Sequence, residues 1–97
     1  MLFILRFIDL PSKQAIRQQF LQKHLDWLAE RRQQIKIAGS LRAEGSELAI
    51  GALWIVEAEN ADAVRAVFQT DPFWQQGLRA SFEIHSWSKA FPELVAL

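Results

Sequence analysis

A chain of 97 residues supplies one domain, since single hydrophobic cores divide only well above that length. Eleven basic residues balance eleven acidic ones with no basic stripe of the kind that binds nucleic acid, and the lack of cysteine excludes a disulfide framework and thiolate chemistry. The apolar share of 51%, with four Trp and seven Phe but no Tyr, is high for so short a chain; it serves either the core or an interface.

Leu2 to Ile8 reads as a first strand, bounded by Asp9-Leu10-Pro11. Phe3, Leu5 and Phe7 share one face and Leu2, Ile4, Arg6 and Ile8 the other, so the strand is predicted to be central and covered on both sides. It is too short to cross a membrane and no small-residue cleavage site follows it. The expectation is a cytoplasmic protein with no membrane contact.

Ser12 is read as the N-cap of a long helix reaching Arg32. Its buried stripe is Ile16, Phe20, His24, Trp27 and Leu28, flanked by Leu21 and Leu25, with Arg17 and Gln18 largely on other faces. Arg31-Arg32 sits where a helix C-terminus favours cations. Ile35 to Leu41 is a second strand, and Gly39 inside it suggests a bulge or a close backbone approach. Ala49 to Glu57 is a third, joined to the second by the polar loop around Gly45 and so predicted to form an antiparallel hairpin.

Asn60 caps a second helix running to Gln69, with Ala61, Val64, Val67 and Phe68 inward. Asp71-Pro72 breaks it, and Phe73 to Gly77 forms a short turn or helical piece. Ala80 to Trp87 is the fourth strand. Lys89 to Leu97 is a C-terminal tail in which Phe91-Pro92 argues against more strand. Strand, helix, hairpin, helix, strand is the ferredoxin-like βαββαβ order: an α+β fold with a four-stranded antiparallel sheet and both helices on one face. The other face is apolar and uncovered, which calls for a second copy of the chain and hence a homodimer.

The chemistry is sparse. Four scattered glycines form no phosphate loop, two histidines without paired spacing make no metal site, and the serines have no base beside them. His24 on the inward stripe is the one side chain suited to proton transfer, although a histidine so placed is more often a satisfied core or interface residue. Asp71 before proline is usually a turn former. Nothing local brings the two together.

His24-Leu25-Asp26-Trp27-Leu28, Ala38-Gly39-Ser40-Leu41, the Gly51 strand, Asp71-Pro72-Phe73 with Gly77-Leu78, and the Trp87 strand end follow one another over nearly the whole chain. In that order and spacing they resemble the YciI-like family. The resemblance implies a dimeric α+β barrel, no cofactor, and an active-site pair carried over as His24 and Asp71. The family commonly reads proline where this chain has Ser40, so a different strand end is expected there, and His85 takes no family role and is read as surface or interface.

A carboxylate bonded to an imidazole fixes its tautomer, and such a pair in an aromatic pocket can move a proton at neutral pH. Trp27, Phe73 and Trp74 are the expected apolar walls for a small substrate. Three readings stay open: an isomerase- or lyase-type enzyme, a non-catalytic small-ligand-binding or accessory homodimer, and a purely structural pair. A filled, dry contact at His24 favours the last, and a solvent-reached cavity favours the first two.

Overall fold

Strand β1 (Leu2–Asp9) alternates as its sequence requires. Phe3, Leu5, Phe7 and Asp9 are buried while the side chains between them are half-buried or exposed. The structure, a computed structural model, describes residues 1–93. On one side of β1 lies β3 (Ala49–Glu57), with Leu5 opposite Trp54; on the other lies β4 (Arg79–Trp87), with Leu5 opposite Ile84. Strand β2 (Ile35–Arg42) pairs with β3 and forms an edge. All pairs are antiparallel in the order β2-β3-β1-β4, the ferredoxin-like α+β arrangement that the element order predicts.

Helix α1 (Gln14–Ala29) begins later and ends earlier than the spacing suggests. Pro11 fixes its own φ and opens a 3-10 turn over Pro11–Lys13, so Ser12 lies within that turn and caps nothing. At the far end Arg31 donates to the Trp27 carbonyl at 3.0 Å, supplying a cation to a helix terminus that lacks donors. Asn60 caps α2 (Ala61–Val67) as expected, its Oδ1 accepting from the Ala63 N–H at 2.8 Å. A 3-10 turn (Phe68–Thr70) follows, and then the four-residue α3 (Pro72–Gln75).

The helices cover one sheet face. Beneath them Phe7 meets Trp54 and Phe68 edge-on, at ring-centre distances of 4.9 and 5.3 Å, and Trp74 closes on Phe68 at 4.6 Å. Trp27 is buried beside Trp54, and its indole N–H donates to Thr70 Oγ1 at 2.9 Å. Burial of each such ring contributes on the order of 2–3 kcal/mol. The opposite face is open: Ile8, Ile37 and Trp87 are exposed, with Leu53 and Ile55 half-buried among them.

Gly39 is neither a bulge nor a close approach, for a Cβ built there meets nothing within 4 Å. The crowded glycine is Gly51 in β3, where a Cβ would stand 2.1 Å from the Phe7 carbonyl oxygen. Residues 89–93 form no regular structure, in keeping with a tail, and residues 94–97 lie outside the described residues.

Candidate active site

His24 lies on the inward stripe of α1 with 7% of its surface exposed. Its ring rests flat on Phe73, centres 4.0 Å apart and planes 14° from parallel. Asp71 is fully buried between the 3-10 turn and α3, where its Oδ1 accepts the Phe73 backbone N–H at 3.1 Å. The same oxygen lies 2.7 Å from His24 Nδ1. Asp71 is therefore both the turn former that its place before Pro72 suggests and the partner of the imidazole. An ionised carboxylate only accepts, so the shared proton sits on Nδ1 and the basic nitrogen of neutral His24 is Nε2. Among the described residues Nε2 has no partner, and it is not sealed from solvent.

The imidazole lines a cavity of about 370 Å³ between α1 and the β2–β3 half of the sheet. Small side chains create it: Ala38, Ser40, Ala49 and Ala52 are too short to reach α1. Leu21, Leu25 and Leu28 line it from the helix, and Trp54 and Phe73 supply aromatic surface. Leu21 and Leu25 are nearly half exposed, which is costly on a helix flank unless something covers them. His24 thus meets a solvent-reached cavity, not a filled, dry contact.

Of the three aromatic walls expected, Phe73 lines the cavity and Trp27 and Trp74 do not. Trp27 turns to Trp54 and Thr70, and Trp74 packs on Phe7, Phe68 and Phe82. Sequence shows that a residue is large and apolar; it does not show which layer takes it. His85 is exposed on the open sheet face, 3.3 Å from Glu83, as expected of a surface residue. Among the described residues no three potential ligands gather to hold a metal ion.

Three functional candidates escaped the sequence reading. Asp9, 4% exposed, accepts from Arg79 Nη1 at 2.7 Å through Oδ1 and from Arg17 Nε at 2.8 Å through Oδ2. Arg17 also donates through Nη2 to the Gly51 carbonyl at 2.9 Å. Arg17 lines the cavity, and Arg79, with 1% of its side chain exposed, stands behind the wall. Burial lowers the pKa of the Arg79 guanidinium from its ordinary value, against the opposing pull of Asp9. Arg79 Nε and Nη2 and Asp71 Oδ2 are buried without a hydrogen-bond partner. One signal pointed here: Asp9 continues the buried phase of Phe3, Leu5 and Phe7, and a buried carboxylate needs a cation.

The YCII-related domain matches residues 1–88. The chain belongs to this family. Among solved structures, this YCII-related domain is similar to the 5-chloro-2-hydroxyhydroquinone dehydrochlorinase TftG from Burkholderia phenoliruptrix AC1100, in complex with 2,5-dihydroxybenzoquinone. The identity is 28% over 91% of this chain and 94% of that one, with a TM-score of 0.82. It is also similar to SnoaB, a cofactor-independent oxygenase from Streptomyces nogalater, at 15% identity over 95% of this chain and 96% of that one, with a TM-score of 0.56. At that identity the second likeness speaks for the fold alone. No curated protein matches the chain. The family and the likeness to TftG support an enzyme-like role on a small molecule.

Proposed function

We propose that this YCII-related domain is an isomerase- or lyase-type enzyme in which His24 is the general acid/base and Asp71 its positioning residue. The observation that carries this reading is the 2.7 Å bond from His24 Nδ1 to Asp71 Oδ1, which leaves Nε2 as the basic atom of an imidazole lining a cavity. Nε2 takes a proton from a substrate C–H or O–H, and the resulting imidazolium is stabilised by Asp71. In an isomerisation the proton returns to a different atom of the same molecule. In an elimination the electron pair of the broken C–H bond forms a double bond, and the leaving group departs with its own bonding pair. The likeness to a dehydrochlorinase supports the second form.

The working unit of this proposal is a cytoplasmic homodimer. Its support is the open sheet face, where Ile4, Ile8, Ile37, Leu53, Ile55 and Trp87 stand together with no helix over them. Light scattering of the chain at micromolar concentration should give twice the monomer mass; a monodisperse monomer rejects this part.

The direct test supplies 5-chloro-2-hydroxyhydroquinone to the wild type and to His24→Gln and follows chloride release. Loss of general acid/base catalysis should slow turnover by about 10²–10⁴-fold. Turnover that His24→Gln leaves undiminished rejects the proposed role. Binding without turnover of this compound and its relatives favours a ligand-binding homodimer instead.

A further inference from the structure

Arg17 and Arg42 line the His24 cavity with Arg79 behind its wall, and among the described residues no Asp or Glu lines it. Two buried acids behind the wall are both engaged: Asp9 is held by Arg17 and Arg79, and Asp71 by His24. The walls are otherwise largely apolar.

Arg17 is the informative member. Asp9 and the Gly51 carbonyl hold its Nε and Nη2, so the plane of the guanidinium is fixed. Its Nη1 has no partner among the described residues and is not sealed from solvent. A rigid arginine with one unused amino group loses little freedom on binding an oxygen anion, and guanidinium forms its strongest hydrogen bonds with such oxygens. Arg42 is arranged alike at the edge strand, with Nε bonded to the Glu47 carbonyl, Nη1 to Ser40 Oγ, and Nη2 without a partner among the described residues. Arg79 is sealed; it contributes charge behind the wall and holds Asp9 in place.

We infer that the cavity recognises a small organic anion with an apolar or aromatic body, its ionised oxygen bound by Arg17 Nη1 and assisted by Arg42. The body lies against Leu21, Leu25 and Leu28 of α1. Arg17 and His24 both line this cavity of about 370 Å³, so a small ring with an ionised substituent bound in it has both groups as neighbours. This inference rests on the acid/base reading of the same site and names its substrate class: an acid, an ionised enol or a phenolate.

The test measures binding apart from turnover, by calorimetry, with two probes of one shape, benzoate and benzamide, and with 2,5-dihydroxybenzoquinone as an acidic ring hydroxyl. Benzoate should bind the wild type at least about tenfold more tightly than benzamide, as expected of a charge-assisted hydrogen bond. That preference should shrink as salt is raised. Arg17→Met should abolish it, while His24→Gln keeps it. Where Arg17→Met fails to fold, Arg42→Met together with the wild-type salt dependence decides: a preference that neither reduces overturns the inference. Equal binding of benzoate and benzamide, or no binding of either anion, also overturns it, even if His24 proves essential for turnover. Anion binding that needs Arg17 with no His24-dependent turnover leaves the inference standing and removes the acid/base role.

Discussion

Phe73 and His24 are stacked at 4.0 Å, and both are tied to one oxygen of Asp71, the first by its backbone N–H and the second by its ring. The aromatic ring, the imidazole and the carboxylate therefore form one packed unit, and Phe73 fixes the face of His24 as Asp71 fixes its edge. Phe73 is fully buried, so Phe73→Ala should cost about 3–5 kcal/mol, read from the urea midpoint. An unchanged midpoint would show that the ring supports nothing.

Asp71→Ala removes the acceptor of two hydrogen bonds, one of them from the imidazole. The expected loss of stability is about 1–3 kcal/mol. A merely structural acid would also give that loss, so the deciding measurement is the ring ¹⁵N spectrum of neutral His24. The Nδ1–H tautomer should dominate in the wild type and give way to the Nε2–H form in the variant. A wild-type spectrum already dominated by Nε2–H contradicts the bond.

Asp9 and Arg79 form an ion pair with 1% of each side chain exposed. Breaking a buried pair from one side leaves an uncompensated charge, so Asp9→Ala should destabilise the fold by about 3–5 kcal/mol. Asp9→Ala combined with Arg79→Met should recover part of that loss, because the stranded guanidinium is gone. Strict additivity of the two changes would mean that the pair is not coupled.

Gly51 and Gly39 make a matched comparison. A methyl group at Gly51 collides with the Phe7 carbonyl, which cannot move without parting β1 from β3. Gly51→Ala should therefore cost about 1–3 kcal/mol or more, whereas Gly39→Ala, with open space around it, should leave the melting temperature unchanged or raise it. Equal effects in thermal melts would refute this account of the strand.

The fold was legible because each signal was local. The period-2 alternation of Phe3, Leu5 and Phe7, the Asn60 cap and the Asp71-Pro72 break each act within a few residues. Placing His24 on the inward stripe was equally local. Its meeting with Asp71 came from resemblance alone, since no periodicity relates positions 47 apart. Arg17 was placed off the inward stripe and Arg79 was not singled out for the same reason: their common partner Asp9 is brought to them by the sheet and the helix crossing it. Trp27 and Trp74 were placed at the cavity because aromatic character marks burial without marking the side.

The ties that build the site also span long stretches of chain, His24 and Asp71 standing 47 positions apart and Asp9 and Arg79 70. Closing such loops carries an entropic cost that early, short-range contacts do not. The β2–β3 hairpin pairs strands close in sequence, whereas β4 must dock beside β1 before Arg79 can reach Asp9. Of the residues that border the cavity only Arg79 comes from β4, so docking of that strand completes the Asp9 ion pair behind walls that α1, β2, β3 and α3 supply.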